Sequence, residues 1–210
     1  MPITKPFDLH FDEYEQWFVK NRYVYLSELA AVRYFMPRSA GMGLEIGVGS
    51  GQFASPLQIP FGIDPSEKML KLAQQKGIGV VKAVAEHLPF KDRSFDFALM
   101  VTTVCFIDDV NRSFQEAKRI LKPRGKFIVG FVDKNSSLGK IYLAKKQKNV
   151  FYQSANFYSC EEIIAFLEKN EFSNLKIVQT VFGNLTEITA VQSFNCGYGK
   201  GGFVVIKAEV

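Results

Sequence analysis

Cysteine is scarce in this chain: three in 210 residues, Cys105, Cys160 and Cys196, far apart in sequence. They have neither metal-ligand spacing nor even pairing, which excludes a disulfide framework and a cysteine-based metal site. They read as reduced, buried thiols, and no metal site is expected. Long hydrophobic runs are also missing, since no apolar stretch approaches the roughly 20 residues of a membrane-spanning helix. The N-terminal MPITKPFDLHFDEYEQ lacks the basic-then-apolar order of a secretory leader. No internal repeat, low-complexity tract or dividing linker interrupts the chain. The expectation is a single cytoplasmic domain over residues 1–210.

What is present is an ordinary globular composition, 47% hydrophobic and 22% charged, with 20 Phe, enough for a filled interior and an apolar pocket. The net charge of +5 permits an acidic partner. Only Lys140, Lys145, Lys146 and Lys148 concentrate it, and they read first as a solvated helix face.

Helical and strand-like segments alternate, the pattern of an α/β domain with a largely parallel sheet. In the N-terminal part Tyr25, Leu29, Val32 and Met36 recur at helical spacing up to Pro37. Seven strands are expected: GLEIGV, QIPFGID, IGVVKAV, FDFALMV, PRGKFIVGFV, NLKIVQTVF and GGFVVIKAEV. The second ends at Asp64, and Pro56 and Pro60 leave room for only a brief helix before it. SEKMLKLAQQKG is a helix capped by Ser66 and closed by Gly77. Another runs from Asp109 to Leu121, and SCEEIIAFLEKN opens with a capping box, Ser159 with Glu162. The last strands are joined by a loop without a clear helix, so an antiparallel pair is expected. The predicted fold is a Rossmann-like, doubly wound α/β sheet of seven strands. It is mostly parallel with an antiparallel C-terminal strand and has helices on both faces.

The chemistry concentrates at LEIGVGSGQF. In a doubly wound sheet the loop after the first strand meets the ligand, and Gly47, Gly49 and Gly51 let a backbone come close to it. A dinucleotide fingerprint would place its third glycine at position 52, which is Gln52. The absence of a following Gly-Lys-Ser/Thr excludes a Walker loop. Glu45, two residues before the first glycine, repels pyrophosphate and attracts an ammonium or sulfonium. Asp64 suits a ribose diol, and alone it fits nicotinamide and adenosyl ligands equally. With Glu45 it points to a cationic nucleoside without phosphate. The later GYGKGG fits GxGxxG in spacing but leads into a strand, so it reads as a turn.

From LEIGVGSG through FGIDPSEKML and AEHLPFKDRSFDFALM to EAKRILKPRGKFIVG, roughly residues 41 to 132, the chain resembles the class I S-adenosylmethionine-dependent methyltransferases. Within them it is similar to the group related to ubiquinone and menaquinone biosynthesis methyltransferases. The resemblance implies S-adenosylmethionine as cofactor and S-adenosylhomocysteine as product. It implies that Gly47, Gly49 and Gly51 lie against the methionine part, with Glu45 and the Thr102 carbonyl near its ammonium. Asp64 would hold the ribose, Met69 would pack on the adenine, and Ala85, Glu86 and His87 would face its edge. Two features depart from the family pattern: a shortened segment between the glycines and Asp64, and Val84 where an acid is common.

Methyl transfer from a sulfonium is an in-line displacement and needs a base only if the nucleophile must lose a proton. No catalytic residue is therefore identified. TTVCFIDD after the fourth strand lacks the Asn/Asp-Pro-Pro-aromatic motif of DNA amino-methylating enzymes, and for Asp108 and Asp109 helix capping by one of them is favoured over a role as base. Residues 1–38 form a helical cap, 39–132 the cofactor-binding half, 133–158 a lid-like insertion, and 159–210 a C-terminal helix and strand pair. Acceptor contacts are expected from Tyr14, Trp17 and Tyr23 in the cap and from the insertion. A small-molecule acceptor is favoured. An RNA methyltransferase using the Lys cluster, and a cofactor-binding module without catalysis, stand as alternatives.

Overall fold

The computed structural model describes residues 4–37 and 41–210. The expected boundary between cap and cofactor half, at 38 and 39, lies outside the described residues. The parallel part of the sheet follows the sequence order β1 (Gly43–Ile46), β2 (Phe61–Asp64), β3 (Gly79–Lys82), β4 (Phe95–Val101) and β5 (Leu121–Val132). Then come β6 (Ser173–Thr180), β7 (Asn195–Cys196) and β8 (Phe203–Glu209). In space the order is β3-β2-β1-β4-β5-β8-β6-β7. Neighbours among β1 to β5 are parallel, whereas β8 is antiparallel to both β5 and β6. The described residues thus contain eight strands where seven were expected. The extra one is the two-residue β7, paired with β6 through Val178 and Gln179, too short to leave a periodic signal.

The chain winds outward from β1 to β3 and then returns to place β4 on β1's other side, so strand order reverses at β1. Open α/β sheets leave a crevice at that point, beyond the carboxyl ends of the strands. Both faces are covered. Along β4, Ala98 and Met100 enter one apolar cluster and Phe97, Leu99 and Val101 the other, as alternation demands of a doubly buried strand.

Among the described residues eight α-helices accompany the sheet: α1 (Lys5–Leu9), α2 (Phe11–Lys20), α3 (Arg22–Phe35), α4 (Ala54–Leu57), α5 (Glu67–Gln75), α6 (Val110–Ile120), α7 (Ser137–Lys145) and α8 (Cys160–Lys169). The N-terminal helical stretch breaks at Asn21. α1 and α2 bury none of their residues, whereas α3 buries a stripe that includes Val24, Ala31, Val32 and Phe35. The brief helix before β2 is α4, four residues long. Ser66 accepts from the Met69 N–H at 3.1 Å to cap α5, and Asp109 accepts from Arg112 at 2.9 Å to cap α6. Both bonds of the Ser159–Glu162 capping box of α8 are present. Among the described residues no helix is long and apolar enough to cross a membrane.

Candidate functional site

A cavity of about 910 Å³ lies over the carboxyl ends of β1, β2 and β4. That is near the upper end of the roughly 300–1,000 Å³ typical of small-molecule sites. Its floor is the glycine loop. The N–H groups of Gly47 and Val48 donate to the Ile63 carbonyl at 2.9 and 2.8 Å, which curls the loop over the end of β2. Gly47 has a φ of +75°, and a Cβ there would stand 2.3 Å from Thr103 Cγ2. Thr103 cannot easily yield, because its hydroxyl donates to the carbonyls of Val101 at 2.9 Å and Gly47 at 3.3 Å. Gly47→Ala is therefore expected to cost about 1–3 kcal/mol of stability, seen as a lower urea midpoint. Gly51 is held differently from the other two glycines: it does not line the cavity, and a Cβ on it would meet Ile78 at 2.5 Å.

Glu45 on β1 is 2% exposed. The backbone of Ala54 holds one side of its carboxyl, while Oε2 has no hydrogen-bond partner. Burial pushes its pKa well above the carboxylate range. An unsatisfied buried acid facing a cavity is costly unless a ligand completes it, and a cationic group would do so. Asp64 is half-buried at the tip of β2. Its Oδ2 accepts from Gly49 N–H at 3.0 Å and its Oδ1 from Ser66 N–H at 2.8 Å. Each oxygen keeps acceptor capacity, which is the acceptor set a ribose diol requires. Burial pushes this carboxyl up to about 6, against the lowering effect of those two backbone bonds. Glu45, Asp64 and the glycine loop together fit an adenosyl ligand with a cationic end and no phosphate.

Met69, Ala85, Glu86, His87 and Thr102 all line the same cavity. Glu86 Oε1 also accepts the N–H groups of Asp108 and Asp109 at 3.0 and 3.1 Å, fastening the loop after β4. Thr102 carries a φ of +50°, unusual for a β-branched residue, and such strain concentrates at ligand sites.

Of the three expected acceptor contacts, Tyr14 and Trp17 line the cavity, while Tyr23 does not and is 42% exposed. Tyr23 lies on the outward side of α3, where its backbone carbonyl accepts from the Ser27 hydroxyl. Tyr14 reaches over the cofactor loop: a Cβ on Gly49 would stand 2.9 Å from its hydroxyl. Burial, with Asp64 and Glu45 nearby, raises this phenol above its ordinary range. The cap is tied to the glycine loop and to the start of α5 by polar bonds: Ser50 donates to Glu15, Gln52 Nε2 donates to Glu15 at 2.7 Å, and Ser66 donates to Asp8 at 2.5 Å.

The insertion closes the opposite side. Phe151 meets Phe7 with ring centroids 5.4 Å apart, and Asn156 N–H donates to the Cys105 carbonyl at 2.7 Å. The Cys105 thiol lines the cavity but is pushed up to about 12 by burial, which removes it as a thiolate nucleophile. Lys140, Lys145 and Lys148 are exposed.

Among the cavity residues that the sequence pattern did not single out is a buried acid. Glu28 on α3 is 4% exposed and lines the cavity, and its carboxyl makes no hydrogen bond or ion pair with any described residue. The available signal was an acid between Val24 and Val32 at spacing four on the apolar stripe of a helix.

Comparison with known proteins agrees with this geometry. Residues 44–129 match the family model for a methyltransferase domain. An uncharacterised protein of Methanocaldococcus jannaschii is 46% identical over 97% of this chain and 98% of its own length. The C-methyltransferase UbiE of ubiquinone/menaquinone biosynthesis from Rickettsia felis is 41% identical over 31% of this chain and 29% of its own. A Thermotoga maritima crystal structure, described as an S-adenosylmethionine-dependent methyltransferase and possible histamine N-methyltransferase, superposes with a TM-score of 0.96. It has 48% identity and 99% coverage of both chains. The chain belongs to the class I S-adenosylmethionine-dependent methyltransferases.

Proposed function

We propose that this enzyme methylates a small molecule held in the aromatic half of its cavity. The supporting observation is that one cavity of about 910 Å³ is lined both by the Glu45–Asp64 end and by a group of rings contributed by the cap and the insertion. The bound cofactor supplies a methyl group on a sulfonium; the chain's part is binding and alignment. Asp64 would hold the ribose hydroxyls, and Glu45 with the Thr102 carbonyl the ammonium. Met69, Ala85, Glu86 and His87 would enclose the adenine, and Gly47 and Gly49 the methionine. In this division residues 39–132 serve the donor, while 1–38 and 133–158 serve the acceptor. The similar Thermotoga maritima protein, described as a possible histamine N-methyltransferase, fits a small nitrogen acceptor. The three free cysteines suit a reducing cytoplasm.

Exposed lysines on α7 favour the second reading, RNA. Incubation with methyl-labelled cofactor and either a small-metabolite extract or total RNA separates the two. Label is expected in the small-molecule fraction. Label in RNA, with binding that weakens steeply as salt rises, would replace this proposal with the RNA reading.

A further inference from the structure

Among the described residues four acids are buried: Glu28, Glu45, Glu116 and Asp133. Glu116 is bonded to the Arg119 guanidinium and the Leu88 N–H, and Asp133 accepts from Asn135 N–H at 2.9 Å. Both are structural. Glu45 has a free oxygen at the cofactor end. Glu28 has no bonded partner among the described residues, and like Glu45 it lines the cavity. A structural carboxyl would carry the bonds that Glu116 and Asp133 carry, because a lone buried acid is destabilising.

The surroundings of Glu28 are aromatic. Tyr142 from α7 and Tyr152 from the insertion both lie within its electrostatic reach. Their rings stack at 5.1 Å, and Phe157 packs on Tyr152 at 5.4 Å and on Tyr142 at 6.2 Å. An acid that shares a cavity wall with these rings, with no cation paired to it among the described residues, is complementary to a basic nitrogen on a small apolar skeleton. The carboxylate pairs with the charge, and the rings add cation–π attraction.

We propose that Glu28 is the acceptor-recognition residue of this cavity, binding the protonated or proton-sharing nitrogen of a small amine or imidazole between Tyr142, Tyr152 and Phe157. The assignment rests on the small-molecule reading above and adds a ligand class and an anchor. Glu28 belongs to α3 and not to the cofactor loop, so substitution there separates acceptor recognition from donor binding.

The test is calorimetry on the full chain saturated with S-adenosylhomocysteine, which cannot transfer a methyl. Phenethylamine, tryptamine and histamine are titrated against 3-phenylpropionate and indole-3-acetate, on wild type and Glu28→Gln. The S-adenosylhomocysteine titration comes first, reports folding of both proteins, and tests the donor site independently. At least one amine is expected to bind wild type and to lose about 10- to 150-fold in Glu28→Gln, while the acids do not bind. Amine binding equal in the two proteins would overturn the proposal. So would an acid that binds better than its amine, or a panel in which no amine binds. A wild type that fails to take S-adenosylhomocysteine would instead overturn the donor-site reading, and the proposal with it.

Discussion

Asp64→Ala is expected to lower S-adenosylmethionine affinity about 10- to 150-fold at pH 8, the equivalent of losing charge-assisted hydrogen bonds worth about 1.5–3 kcal/mol. The carboxylate has two duties. It accepts the Gly49 and Ser66 N–H groups, joining the glycine loop to the start of α5, and its remaining capacity faces the cavity. Ala removes both functions, so part of the loss comes from a loop that must be ordered by the ligand. The pH profile separates this from general damage. Burial holds the Asp64 carboxyl at about 6 in the ligand-free protein, and the anion is the form that accepts two hydroxyls. Wild-type affinity should therefore be full above about pH 6 and fall as pH drops through it. Asp64→Ala should show a weaker and flatter profile. Calorimetry between pH 5 and 8 reads both; an affinity that Asp64→Ala leaves unchanged would remove Asp64 from the ribose.

Glu28→Gln should make the ligand-free protein more stable, and increasingly so as pH rises. Burial pushes the Glu28 carboxyl from 4.5 up to about 8. The native state thus keeps its proton where the unfolded chain has lost it. A raised carboxyl pKa means that wild-type stability declines between about pH 4.5 and pH 8 and levels off above. Relative to a residue that never ionises, the penalty is below about 1 kcal/mol at pH 5 and on the order of 4 kcal/mol at pH 8. Tyr25, Tyr142 and Tyr152, the titratable groups around it, are themselves raised and stay neutral across this range. Urea unfolding of both proteins from pH 5 to 9 should give curves that diverge upward with pH. Equal stability at pH 8 would mean that the acid has a partner and is structural. A stabilising substitution at a ligand-facing position is the expected signature of stability given up for binding.

The end of the cavity that holds Glu45 and Asp64 was legible in the sequence because its parts are local. Glu45, the glycines and Asp64 lie within twenty residues, and β1–loop–β2 brings them together whatever the rest of the chain does. The mostly parallel sheet with an antiparallel C-terminal strand followed from the alternation of helical and strand-like segments. The acceptor side was less legible because it is assembled from distant segments. Tyr14 and Tyr23 look alike as aromatics in a helical stretch, yet the break at Asn21 turns one over the glycine loop and the other toward solvent. Glu28 looked like an ordinary helical charge until its neighbours Val24, Ala31 and Val32 proved to be buried. Gly51 fitted the loop pattern while its packing against Ile78, residues away, was invisible. β7 exists only because β6 offers it an edge.

The placement of β8 between β5 and β6 bears on the order in which the molecule can assemble. Strands β1 to β5 can add to one another through successive crossovers. β6, however, has no ladder with β5 and pairs only with β8 and β7. It must therefore wait for a strand made after it, and β8 must close on β5 across some seventy intervening residues. Loop-closure entropy grows slowly with such length, but long-range pairing slows folding. The half that carries the donor loop can thus form its contacts early, while the far edge of the sheet is the last part to become ordered.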